Sequence, residues 1–284
     1  MTLTAFRSEP GGHYRATHVA RAEVAKIVSL RSTAANLGLT VVAALVVTAL
    51  VTHAQLGHGP GFYNGFDPTS SALTGMIVVA LTGGVFGALL ITNEYSSGTM
   101  RSTLAATPKR PFLLATKTAV TAVLTLLFCE VLSFVCFFLG QAVLSGGGAP
   151  SASLASPGAA RAVLMTGAFV ALTTLMAFGF GFIFRSTAAA IAAFVGVVFV
   201  LPLVMQGISP ADNRYLPTNI LLNSIMATVS HVSVAVNHVP PGAHVPAGGP
   251  PNGPLSPTVG LLLMVLYAAI ALAAGAAAFV KRDA

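Results

Sequence analysis

These 284 residues predict an all-α polytopic membrane protein: six transmembrane helices, an N-terminal amphipathic helix lying in the interface, and a short cytoplasmic helix between the second and third spans. Three observations carry that reading. Apolar runs recur at close to the ~20 residues that a bilayer crossing needs. Only 7% of the residues are charged against 55% apolar, with a mean hydropathy of +0.84. The charges gather in the polar connections rather than along the runs.

Residues 1–16 carry Gly, Pro and scattered charge without periodicity, and read as a flexible cytoplasmic tail. Residues 17–284 read as one membrane domain, since no soluble stretch is apolar and periodic enough to bury a core of its own. From Thr17 the pattern changes. Ala20, Val24, Ile27 and Val28 fall at helical spacing, with Arg21, Glu23, Lys26 and Ser29 on the opposite side. Such a helix lies in the membrane interface with Glu23, Lys26 and Arg31 on its polar side, or packs in the cytosol against a partner.

The six runs are residues 37–53, 72–92, 112–144, 162–184, 188–208 and 259–280. The first begins behind a polar segment longer than a secretory leader carries, so it reads as a retained helix. With both termini cytoplasmic, twelve of the fourteen Lys and Arg residues fall on the inner side and only Arg161 and Arg214 outside. Basic residues next to short loops resist translocation, so that count orients the chain. It places the polar island from Asn93 to Arg110 in the cytoplasm. Residues 209–257 become an external re-entrant or loop region, with a surface or re-entrant helix over 220–236 and a Pro/Gly-rich stretch over 239–257. The net charge of +7 is thereby spent on topology, and no nucleic-acid partner is expected.

Several residues stand out. Gly83 and Gly87 form G-x-x-x-G in the second run, which serves close helix packing, near a permeation path or elsewhere. Glu130 is the only acidic residue deep inside an apolar run, and Ser133, Phe137 and Gln141 share its face. An intramembrane carboxylate is costly unpaired, so it is either a structural, hydrogen-bonded group or part of a substrate or proton path. Lys117 is thirteen residues away, roughly 20 Å along a helix, and cannot pair with it there. Cys129 and Cys136 lie seven residues apart, too far for a disulfide. The histidines show no ligand spacing, and G-x-x-x-x-G-K-[ST], H-E-x-x-H and G-x-S-x-G are absent, so neither a metal site nor a self-contained ATPase, protease or hydrolase is expected.

The island N-E-Y-S-S-G-T-M-R-S-T-L-A-A-T-P-K-R has definite start and stop signals. Glu94, Ser96 and Ser97 offer caps, Gly98 permits a bend, and Pro108 ends the element before the third run, predicting a short rigid helix over residues 93–108. Together with P-F-L-L-A-T-K after it, this stretch resembles the segment following the second span of ABC-2 type permeases, bacterial exporters in which E-Y-x-x-G-T and a following P-x-R recur. E-V-A-K-I-V-S-L-R-S-T is similar to their amphipathic elbow helix. F-R-S-T-A-A-A-I-A-A-F-V-G-V-V-F-V-L-P resembles their junction of the fourth and fifth spans.

The resemblance implies a six-helix permease subunit of an ATP-binding cassette exporter in the bacterial plasma membrane. It would pair with a second permease, identical or not, and with two copies of a separate ATPase that binds ATP and Mg. The island would be the coupling helix, with Glu94, Tyr95, Gly98, Thr99 and Arg101 in contact or hinge roles. Membrane lipid and a hydrophobic or amphipathic cargo would be its other partners. The rival reading is an ion-coupled secondary transporter using Glu130.

Overall fold

The computed structural model describes residues 16–29, 31–58, 60–63, 66–100, 103, 110–225 and 255–282. Most of these residues are helical, with no strand among them. Among the described residues, six helical segments are long and apolar enough to cross a membrane. An amphipathic helix α1 (Ala16–Ser29) precedes them.

The first span, α2 (Arg31–Ala54), is apolar all round, so periodicity cannot say which side faces its neighbours. The structure turns Thr33, Thr40, Ala44, Thr48 and Thr52 inward and leaves Leu39, Val42, Val46 and Leu50 exposed. Lipid solvates large aliphatic side chains as well as protein does, whereas small residues let backbones approach. Gly75 makes the point: a Cβ there would stand 2.3 Å from Thr48 Oγ1.

The second span starts at Pro68, four residues before the predicted run, because Asp67 caps it by accepting from the Thr69 amide at 2.9 Å and Pro68 fits the first helical position. It comprises α3 (Pro68–Leu73) and α4 (Gly75–Ser96), joined at Thr74. The third span, α5 (Arg110–Gly146), has 37 residues, or about 55 Å at 1.5 Å per residue, and so outruns a hydrocarbon core of ~30 Å. The fourth, α6 (Ala159–Phe184), is the hub, buried along most of its length against the second, third and sixth spans. Its Phe169, Phe178 and Phe182 are fully enclosed.

The fifth span covers Thr187–Ile208 and changes pitch midway. Helix α7 (Thr187–Val195) gives way to a π-helical turn, Gly196–Val200, and then to α8 (Leu201–Ile208). Pro202 lacks an amide hydrogen and crowds the carbonyl four residues back, that of Val198. The Thr218 hydroxyl donates to that carbonyl instead. Two short helices follow, α9 (Pro210–Asn213) and α10 (Pro217–Ile225). The helix predicted over 220–236 is described as far as Ile225, and there Ile220, Leu221 and Ile225 are buried in the main core, so it is tucked in rather than superficial. The rest of that prediction and the Pro/Gly-rich stretch up to 254 lie outside the described residues, as do residues 1–15. The sixth span is α11 (Pro257–Arg282).

Alternating directions bring Arg31, Ser96, Arg110, Phe184 and Thr187 to one end of the bundle. The Thr187 to Thr92 hydroxyl bond (2.9 Å) and the Arg185 to Ala278 carbonyl bond (3.5 Å) tie the second and fourth-to-sixth spans together there. This is the charged end.

Candidate functional site, a buried charge cluster at the charged end

Four charged side chains from three elements meet at this end. Lys117 Nζ, near the start of α5, donates to Glu23 Oε2 of α1 at 2.7 Å and to Glu94 Oε1 of α4 at 2.6 Å. Lys26 Nζ reaches Glu23 Oε1 at 3.2 Å and Glu94 Oε1 at 3.5 Å. Burial tends to lower the Lys26 ammonium, but the Glu94 and Glu23 carboxylates outweigh it and hold the group above its ordinary value. The Lys117, Glu23 and Glu94 side chains are 6%, 5% and 13% exposed, so the pairs are drawn out of water and cannot be broken singly without stranding a charge.

The local reasons differ for each member. Glu94 sits in the last turn of α4, the negative end of the helix dipole, where a carboxylate is disfavoured unless cations answer it. Glu23 and Lys26 share a face of α1 at i, i+3. Glu23, on the polar side of α1, is buried because Lys117 draws its carboxylate inward, while Val24 on the apolar side is 36% exposed. Lys117 itself was not among the predicted site residues. Its signal was present, since a lysine inside an apolar run needs a buried counter-charge. Arg31 is exposed and outside the cluster.

The island begins differently from the expected separate helix. Glu94 and Ser96 continue the second span instead of capping a new element, and the helix stops where Gly98 takes a positive φ of 72°. Ser97 Oγ donates to the Asn93 carbonyl at 2.7 Å, and Thr99 Oγ1 to the Glu94 carbonyl at 3.4 Å. The chain is helical again at Thr99 and Met100, and Met100 packs with Ile91, Phe178, Phe182 and Phe279. The Tyr95 ring lies under the Arg185 guanidinium, 5.2 Å from its centroid. Arg101 and most of the predicted coupling helix up to residue 108 lie outside the described residues. Thr103 is within them, accepting from Lys26 Nζ at 3.5 Å.

A cavity of about 450 Å³ opens beside the cluster, between α1, α2, α4 and α5. Glu23, Lys26, Asn93, Glu94, Thr99 and Lys117 form its polar side. A smaller void of about 50 Å³ lies deeper in the bundle, behind Ile27, Asn36, Phe86, Leu90 and Thr121.

The remaining predicted residues lie elsewhere. Gly83 and Gly87 seat the second span on the fourth: added Cβ atoms would stand 2.8 Å from Thr174 Oγ1 and 2.3 Å from the Thr174 carbonyl oxygen. Glu130, Ser133 and Gln141 face the fourth span and the far end, not the charge cluster. Ser133 Oγ donates to the Val163 carbonyl (2.8 Å), while Gln141 donates to the Pro68 carbonyl (3.0 Å) and accepts from the Ala152 amide (2.7 Å), so both pin helices and loops together. The Glu130 carboxyl lies over Gly167, whose missing side chain leaves it room, and Oε2 finds no hydrogen-bond partner among the described residues. No group of three His, Cys, Asp or Glu among the described residues could hold a metal.

Comparison with curated proteins gives no match. Comparison with protein families does: the family described as ABC-2 family transporter protein matches residues 67–284, from the cap of the second span to the end of the chain. Helix α1 and the first span precede the match. The site residues Glu94, Tyr95, Gly98, Thr99 and Lys117 lie inside it, while Glu23 and Lys26 do not. With that match covering most of its length and six helices fit to cross a bilayer, the chain belongs to the ABC-2 family of transporter proteins, as a multi-pass permease component of an ABC transporter.

Proposed function

We propose that this permease takes its power stroke from a separately encoded ATPase at the island following Ser96, with the charged end in the cytoplasm. The observation that carries this is the four-charge cluster. It joins α1, the end of the second span and the start of the third through contacts of 2.6–3.5 Å, immediately beside the island. A push on the island therefore reaches two spans and the interfacial helix together, because separating any of them exposes a buried charge. Tyr95 beneath Arg185 extends the linkage to the junction of the fourth and fifth spans.

In this reading Gly98 is the hinge, Glu94 and Tyr95 hold the fixed side, and Thr99 and Arg101 lie on the side that meets the partner. ATP and Mg belong to the ATPase, two copies of which would serve a pair of permeases. Nucleotide-driven closure would then switch the path between two arrangements of the same helices. The test is co-purification. A stoichiometric ATPase should accompany the wild-type chain and fall at least about tenfold in recovery with Glu94→Ala plus Arg101→Ala, a loss of about 1.4 kcal/mol or more. Full recovery together with intact ATP-dependent transport would remove the coupling role, and a transport activity that needs no ATPase but is lost in Glu130→Gln would favour the ion-coupled alternative.

A further inference from the structure

The cavity of about 450 Å³ at the charged end falls within the size range of small-molecule sites, ~300–1,000 Å³. Its acidic groups are spent. Glu23 Oε1 and Oε2 and Glu94 Oε1 accept from the two lysines, and Glu94 Oε2 is sealed from the cavity. Its donors are not. Lys117 Nζ carries three hydrogens and uses two of them, on Glu23 and Glu94. Thr33 of α2 and Thr121 of α5 are 7% and 2% exposed, line the cavity, and make no side-chain hydrogen bond among the described residues. Thr125, one turn beyond Thr121, shows the usual alternative by returning its hydroxyl to the Thr121 carbonyl at 2.7 Å. A buried hydroxyl that forgoes the carbonyl of the preceding turn keeps its donor for something outside the helix.

Charge indicates what that is. Lys26 is the looser of the two lysines: its contacts with Glu23, Glu94 and Thr103 run from 3.2 to 3.5 Å against 2.6 and 2.7 Å for Lys117, and its side chain is 39% exposed. Arg21 of α1 and Arg31 of α2 are exposed, and with Lys26 and Lys117 they outnumber Glu23 and Glu94 by two. The unused donors lie on α2 and α5 and Lys26 lies on α1, so an acceptor between them is met from several sides. That suits a tetrahedral oxyanion, whose oxygens diverge, better than a planar carboxylate.

We infer that this cavity is an anion site for a phosphate ester, held by Lys26, Lys117, Thr33 and Thr121, with the carbon part of the ester against Ile27, Phe86 and Leu89. Lys26 then leaves Glu94 and Thr103, which loosens α1 from the island beyond Gly98, so the ligand regulates coupling and is not cargo. The regulatory step rests on the coupling role proposed above for the island; the binding does not.

The ester is either the headgroup of an anionic lipid or a soluble phosphate, and calorimetry on the full chain in dodecyl maltoside, without ATPase, separates the two. Dioctanoyl phosphatidic acid and glycerol 3-phosphate are titrated in turn, with dioctanoylglycerol and sodium chloride at matched ionic strength as phosphate-free controls. Phosphatidic acid should bind saturably at about one per chain, and the controls should give no saturable heat. Glycerol 3-phosphate binding within about tenfold of the lipid, or more tightly, assigns the site to the free ester, and binding weaker than that assigns it to the lipid headgroup. Thr33→Val and Thr121→Val should each weaken binding about tenfold, and Thr33→Ser should restore it. Thr40→Val, whose hydroxyl is sealed, should leave the affinity unchanged. Thr103→Ala removes a competitor for Lys26 and should tighten binding about threefold. If Thr33→Val does not elute as a folded species, Thr121→Val carries the same comparison. Absence of saturable binding by either phosphate, wild-type affinity in the valine variants at 33 and 121, or an equal loss in Thr40→Val overturns the site. Binding no tighter in Thr103→Ala than in the wild type overturns the regulatory step. Because the titrations contain no ATPase, loss of this binding leaves the coupling proposal standing, and failure of co-purification leaves the anion site standing.

Discussion

Lys117 illustrates how much one side chain can organise. It holds Glu23 and Glu94 within 2.7 and 2.6 Å of a single ammonium, and with Lys26 as the other cation the cluster is neutral. Replacing it with methionine keeps the stem and removes the charge, leaving two buried carboxylates answered only by the more exposed Lys26. Lys117→Met is expected to destabilise the protein by roughly 3–5 kcal/mol, as breaking a buried pair from one side does. Thermal unfolding in detergent measures this, and Lys117→Met with Glu23→Gln should recover part of the loss. Equal melting of the single variant and wild type would mean that the cluster contributes nothing net. That this lysine needs a counter-charge was readable in the sequence, but its partners were not, because each lies in a different element and nothing in the local spacing joins positions 23, 94 and 117. Glu94 was legible by its place in the polar island, but its role as the end of a span, rather than a cap, depends on tertiary pairing.

Helices in this bundle approach each other through missing side chains. Gly87 of α4 leaves space for the Thr174 carbonyl of α6, and a Cβ would enter to 2.3 Å of that backbone oxygen, which cannot rotate away. Gly87→Ala is therefore expected to cost about 1–3 kcal/mol as overpacking. Gly38, in the first span with nothing within 4 Å of its absent Cβ, provides the contrast. Gly38→Ala should be neutral or stabilise by up to about 1 kcal/mol, since alanine is the better helix former. Melting curves of the two variants side by side check the pair; matching losses would show that the second and fourth spans do not pack as described. The G-x-x-x-G spacing of Gly83 and Gly87 was readable beforehand, whereas its partner was not: a small-residue ridge shows that something sits close without saying what. The pitch change in the fifth span was likewise signalled by Pro202, but the Thr218 hydroxyl that answers the Val198 carbonyl comes from a later helix.

Across the whole molecule, the proposed orientation in the membrane rests on the distribution of charge. Under the proposed topology Ser97 faces the cytoplasm and Gly57 the outside. The native cysteines, Cys129 and Cys136, are free and buried, so they add little background labelling. A membrane-impermeant maleimide should label Gly57→Cys in intact cells and Ser97→Cys only after permeabilisation; the reverse pattern would invert the protein and detach the charged end from any cytoplasmic ATPase. Span number, span order and the inner-side bias of Lys and Arg were all available in the linear chain, because a bilayer imposes length and charge rules that act on each segment independently. Which faces meet was not. The first span turns its threonines inward and its leucines and valines outward, an arrangement that no hydropathy pattern encodes when both faces are apolar enough for lipid. The buried charge cluster and the cavity beside it belong to that second category. They arise only when α1, α2, α4 and α5 are brought together, and their energetics depend on water being excluded by segments far apart in the chain.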